Sequence, residues 1–102
     1  MPIQKGFEGL SNEELVNLIR TGSKEDQNEL YAQLYRQNYP LIHKYCKIYA
    51  RGNPDDIEDF EQESFFALRI AVDRYDENRG KFINCLLIWV KQVITRYFDN
   101  VG

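Results

Sequence analysis

The chain has 102 residues, of which 43% are hydrophobic and 14% aromatic, a composition that fits one small folded domain and excludes an intrinsically disordered chain. No apolar run approaches the roughly 18–20 residues of a membrane span, and Met1 to Leu10 lacks the apolar stretch of a secretory signal. A cytoplasmic protein is therefore expected, with Cys46 and Cys85 as reduced thiols rather than a disulfide. The net charge of −3 argues against a uniformly basic nucleic-acid binder, which leaves the distribution of charge to be read along the chain.

Residues 1–10 read as a flexible arm, and residues 11–100 as one helical domain. Ser11 with Glu14 three residues later forms a capping box, so a first helix starts there; Leu15, Leu18 and Ile19 give it an apolar stripe, and it ends near Thr21-Gly22. Ser23 is the next cap candidate. A second helix is expected from about Lys24 to Ala50, with Leu30, Leu34, Leu41, Tyr45 and Ile48 at helical spacing. Pro40 interrupts it. Because the apolar period resumes at Leu41 and Ile42 without turn residues, one helix with a kink is favoured over two. Arg51-Gly52-Asn53-Pro54 is a stop and restart: Gly52 closes one helix, Asn53 caps the next and Pro54 takes its first position. The third helix runs to about Tyr75, with Ile57, Phe60, Ser64, Leu68 and Ala71 inward, flanked by Phe65 and Val72. Asp76 to Gly80 forms a turn, and a fourth helix runs from about Lys81 to Asp99. No segment alternates as a strand would, so the expected fold is all-α, a compact bundle of about four helices.

The charges fall in blocks. Arg36, Lys44, Lys47 and Arg51 occupy a stretch without acids, whereas Gly52 to Leu68 holds six acidic residues and no basic one. On a wheel of about 100° per residue, Phe82, Ile83, Leu86, Leu87, Trp89, Val90, Val93, Ile94, Tyr97 and Phe98 of the fourth helix share an arc that must be buried. The opposite arc holds Lys81, Asn84, Lys91, Gln92, Thr95, Arg96 and Asp99, with Cys85 and Ile88 as apolar intruders. Gln can bond adenine in the major groove and Thr can meet a base edge or a thymine methyl, while Lys91 and Arg96 can neutralise phosphates. An ordinary solvated face would have the same polarity, and Trp89, on the border of the two arcs, fits a core position as well as a base contact.

Four short motifs in register carry a resemblance. Asp59-Phe60-Glu61-Gln62-Glu63, Ala71-Val72-Asp73-Arg74-Tyr75, Arg79-Gly80-Lys81-Phe82 and Trp89-Val90-Lys91-Gln92-Val93-Ile94-Thr95-Arg96 together resemble region 2 of sigma-70-type RNA polymerase sigma factors. The likeness covers about Asp56 to Tyr97 and extends back toward Leu10. It implies a helical bundle without enzymatic activity or cofactor. One helix would dock on the coiled coil of the polymerase β′ subunit through Asp59, Gln62 and Glu63, with Phe65 and Arg69 beside them. The last helix would bind promoter DNA at the −10 element. Gln92 and Thr95 would read its duplex edge. Aromatic residues near the helix start, matched here by Trp89, would capture a flipped base of the non-template strand, and Lys81, Asn84, Cys85 and Ile88 would also face the DNA. The pattern departs where the family has aromatic residues: Ile88 stands for a tryptophan and Cys85 for a tyrosine. That implies an alternative sigma factor with weakened melting. The −35-reading region 4 is absent from the chain, which suggests a fragment of a longer protein, with a natural single-domain relative as the alternative.

Other chemistry is poorly served. His43, Cys46 and Cys85 are scattered donors without the paired spacing of a zinc site, and no phosphate loop or nucleophile motif occurs. The main alternative is a sigma-fold interaction module that binds polymerase or an anti-sigma protein without recognising a promoter.

Overall fold

The computed structural model describes residues 7–22, 24–51 and 53–101, with side chains as far as residue 96. Four α-helices make up the described chain: α1 (Asn12–Thr21), α2 (Gln27–Ala50), α3 (Pro54–Arg74) and α4 (Phe82–Val101). One-turn 3-10 helices, Lys24–Asp26 and Glu77–Arg79, lead into α2 and α4, and the fold is all-α as expected. Helix α3 lies at the centre, packed on α2 along one side and α4 along the other; α1 rests mainly on α2 and also reaches α3 and α4.

Local chemistry sets most boundaries. Ser11 caps α1 with both bonds of the capping box, its Oγ accepting from Glu14 N–H and Glu14 Oε1 accepting from Ser11 N–H. Asn53 caps α3 by accepting from Asp55 N–H, and Pro54 opens the helix. Asp55 and Asp56 sit in its first turn, where negative charge meets the positive end of the helix dipole. Helix α2 is one continuous element with Pro40 inside it. Its C-cap is Arg51, in the left-handed region at φ 55°, a conformation that glycine adopts more cheaply. Gly52 and Ser23, the expected cap residues, lie outside the described residues.

The core joins Leu15, Val16 and Ile19 of α1 to Leu30, Leu34, Ile42 and Cys46 of α2, Phe60, Leu68 and Val72 of α3, and Phe82, Leu86, Val90 and Ile94 of α4. Among the described side chains the expected inner face of α3 is buried at Phe60, Ser64, Leu68 and Ala71, with Ile57 half-buried. That of α4 is buried at Phe82, Leu86, Val90, Val93 and Ile94, with Ile83, Leu87 and Trp89 half-buried. The side chains of Tyr97 and Phe98, and of Asp99 on the polar arc, lie outside the described residues. The inner face of α2 requires correction. Its buried ridge runs through Leu30, Leu34, Asn38, Ile42, Cys46 and Ala50 at four-residue steps, while Leu41 and Tyr45 are half-buried and Ile48 is 56% exposed. Asn38 completes the ridge because its amide is satisfied. It exchanges two hydrogen bonds with the Asn12 amide (2.9 and 3.1 Å) and donates to Leu34 O (2.8 Å). Of the expected arm, residues 7–10 form a turn with Phe7 and Leu10 packed on the core. Gln37 ties that turn to α2 by donating to Leu10 O at 3.2 Å and to Asn12 Oδ1 at 2.8 Å.

Candidate nucleic-acid interface and the acidic helix face

Burial of the apolar arc of α4 turns its polar arc outward. Lys81, Asn84, Lys91, Gln92, Thr95 and Arg96 are exposed, and Ile88 stands among them at 60% exposure. Ile88 is therefore a solvent-facing apolar side chain in a polar row. Cys85 and Trp89 are half-buried. The Cys85 thiol is aimed back at α3, with Ala71 O as acceptor at 3.9 Å; burial raises its pKa, partly offset by Arg20, so it stays protonated and polar chemistry at this point is weak.

The residues assigned to DNA from the sequence separate into two groups. Lys81, Asn84, Cys85, Ile88 and Trp89 line a groove of about 220 Å³ where the end of α3, the Glu77–Arg79 turn and the start of α4 meet. Lys91, Gln92, Thr95 and Arg96 lie further along the same helix, with Gln92 about 16 Å beyond Lys81 at 1.5 Å per residue. The groove also takes in Arg74 and Arg79, which were not among the expected site residues. Both stand in motifs that carry the resemblance, and the Arg74 guanidinium lies 5.7 Å from the Trp89 ring centroid. Arg74, Arg79 and Lys81 thus bring three cations to the groove against one lining carboxylate, Asp76. The Arg79–Asp76 pair is long (3.8 Å) and exposed, so it leaves most of the positive field intact. An anionic strand with a flat base is the kind of ligand such a rim and wall can hold.

The corner that carries this groove is tied down from a distance. Tyr75 O–H donates to Gly80 O at 2.7 Å, and its ring meets Phe82 edge-on at 5.4 Å. Gly80 has φ 123°, which any side chain would strain. From α1, Arg20 donates to Val72 O (2.9 Å) and Tyr75 O (2.5 Å), and Glu13 Oε2 accepts from Phe82 N–H (2.8 Å).

The second face belongs to α3. Asp59, Gln62 and Arg69 are exposed, whereas Glu63 and Phe65 are half-buried. Phe65 turns into the seam with α2, where its ring meets Tyr35 edge-on at 5.5 Å, and the Arg69 guanidinium lies over Tyr31 at 5.1 Å. One helical turn earlier, Glu61 accepts from Tyr39 O–H (2.9 Å) and pairs with His43. An aromatic ladder at four-residue steps on α2 (Tyr31, Tyr35, Tyr39, His43) therefore faces a ladder on α3 (Arg69, Phe65, Glu61). Burial pushes the Tyr35 hydroxyl up to about 12, with Glu61 adding to the rise. The residue that sequence reading missed is Phe66, 61% exposed in the middle of the outward face. The α3 wheel could have located it, since Phe66 lies two residues from both Ser64 and Leu68 and so points away from the core. His43 and Cys46 turn to different partners, Glu61 and Ser64, and among the described residues no three His, Cys, Asp or Glu side chains cluster to hold a metal. Among them, too, no helix is long and apolar enough to cross a membrane.

Both faces fall within the span of a known family. The family model for sigma-70 region 2 matches residues 34–100, which takes in most of α2 and all of α3 and the Glu77–Arg79 turn. No curated protein and no solved structure matches the chain at a significant level.

Proposed function

The chain belongs to the sigma-70 region 2 family, a family of non-enzymatic transcription-factor domains, and from that premise we propose that it docks on RNA polymerase through α3 and on promoter DNA through α4. Asp59, Gln62 and Glu63, with Phe66 as an apolar anchor, form the surface for the basic coiled coil of the β′ subunit. Complementary charge there sets encounter rate and register, and an exposed aromatic ring supplies affinity. On α4, Gln92 and Thr95 read the duplex edge of the −10 element and Lys91 and Arg96 hold phosphates. The groove beside Arg74, Arg79 and Lys81 receives the unstacked non-template strand, with Ile88 and Trp89 as its apolar wall. The single observation that carries this reading is the continuity of that cationic groove with the exposed Gln92–Thr95 face along one helix.

The residues of the same groove support reading the chain as an alternative factor. Ile88 and Cys85 replace stacking rings, and Trp89 has one face under Arg74. Stacking on an aromatic ring is worth about 1–3 kcal/mol per base, so strand capture here leans on cations and on the apolar wall. That observation also favours a second reading, in which the fold binds polymerase or an anti-sigma protein and opens no promoter. The two readings part in one experiment: transcription by core polymerase with the protein added, followed by sequencing of RNA 5′ ends. Discrete starts downstream of a shared −10-like element support the promoter reading; polymerase binding without new starts overturns it in favour of the interaction module.

A further inference from the structure

We infer that Glu13 and Arg20 of α1 are positioning residues that fix the α3–α4 corner and thereby shape the groove; the inference rests on reading that groove as the site of the promoter strand. Helix ends leave backbone groups without intrahelical partners. The corner between these two helices closes its own turn, Asp76 accepting from Asn78 and Arg79 N–H and Lys81 O from Asn84 N–H, but it supplies no side-chain cap at the end of α3 or the start of α4. Tyr75, the C-cap of α3, is extended rather than left-handed, so it makes none of the turn-closing bonds that a glycine there would allow. At the start of α4 the preceding residues are Gly80 and Lys81, neither of which has a side-chain oxygen to accept from the first N–H groups. Both deficits are met from one helix. The Arg20 guanidinium donates to Val72 O and Tyr75 O at the end of α3 and lies 5.9 Å from the Tyr75 ring centroid. The Glu13 carboxylate accepts from Phe82 N–H at the start of α4, where a negative charge also meets the favourable end of the helix dipole.

Glu13 and Arg20 are seven residues apart, two turns on one face of α1. With Tyr75 bonded to Gly80 O and packed on Phe82, they close a circuit from α3 through the turn to α4 and back. Arg79 and Lys81 ride on the segment inside that circuit, and Arg74 precedes it by one residue. These three cations must face Ile88 and Trp89 for the groove to exist, and Gly80 leaves the segment a permissive backbone at its centre. Helix α1 lies before the span that the family model matches, so it acts on the family's α3–α4 unit from outside that span.

Trp89 is the only tryptophan in the chain and lines the groove, which gives a direct readout. Glu13→Ala and Arg20→Ala should each increase collisional quenching of Trp89 fluorescence and speed amide exchange over residues 76–82. Bound to core polymerase, they should weaken affinity for a fork DNA with a single-stranded non-template −10 segment by roughly tenfold, the effect of one well-placed hydrogen bond. Affinity for core polymerase itself should be unchanged. Glu13→Gln keeps an acceptor oxygen and should restore wild-type quenching and exchange. Arg20→Lys keeps the charge, loses the two-armed donation and should not. Unchanged quenching and exchange in both alanine variants would overturn the inference, as would an equal loss of polymerase and DNA affinity, which marks general destabilisation. If the wild-type chain binds no fork DNA, the promoter reading falls, and quenching and exchange alone decide the role of α1.

Discussion

Arg51 holds a left-handed backbone at φ 55° without the freedom of glycine. For an L-residue that conformation costs about 1–2 kcal/mol, offset in a glycine variant by the greater entropy of its unfolded chain. Arg51→Gly is therefore expected to stabilise the domain by about 0.5–1 kcal/mol, read from the midpoint of urea unfolding. Gln92 and Thr95 act on a different quantity. Each is exposed and outside the core, so Gln92→Ala and Thr95→Ala should leave unfolding unchanged while each lowering −10 discrimination by about 1–3 kcal/mol, measured as competition between promoter variants. Unaltered promoter preference would remove both from the reading set.

At the scale of the element, α3 presents two faces with different consequences. Its outer face carries Asp59, Gln62 and Phe66, and Glu63 lies half-buried beside them. Charge reversal at Asp59 and Glu63 should slow association with core polymerase most at low salt, where screening is weakest. Phe66→Ala should instead raise the dissociation rate, with a loss of about 1–2 kcal/mol in affinity and little change in stability. If Phe66→Ala binds polymerase normally, the outward ring has another purpose and the docking surface is smaller than proposed. These elements also differ in how readily the sequence reveals them. The capping box at Ser11, the Asn53-Pro54 restart and the buried arc of α4 depend on residues within a few positions of each other, and they were legible. The buried ridge of α2 was not, because Asn38 occupies it, with Gln33 buried beside it, and a count of apolar residues passes over polar side chains that find partners. The bonds from Glu13 to Phe82 and from Arg20 to Val72 and Tyr75 span more than fifty positions of the chain, and no local pattern announces them.

Across the whole molecule, the seam between α2 and α3 links stability to alkaline pH. Burial raises the pKa values of Tyr31, Tyr35 and Cys46, Tyr35 from 10.0 to about 12. Groups that hold a proton more tightly when folded contribute stability that is complete below their unfolded pKa and lost as pH rises through the folded one. The melting temperature should thus fall as pH climbs from 9 toward 12, and Tyr35→Phe should flatten that fall while costing little at neutral pH. A wild-type melting temperature that stays level over this range would count against a tightly packed seam. The amide pair between Asn12 and Asn38 works differently: each side chain both gives and receives. Were α1 to slide along α2 by one helical turn, about 5.4 Å, Asn38 would face the aliphatic Val16 and lose its partner. An unmet buried amide costs about 1–3 kcal/mol, whereas two apolar surfaces would slip past each other almost freely. The pair therefore works as a detent, giving α1 one seat on the bundle among several that its leucines and valine would otherwise accept.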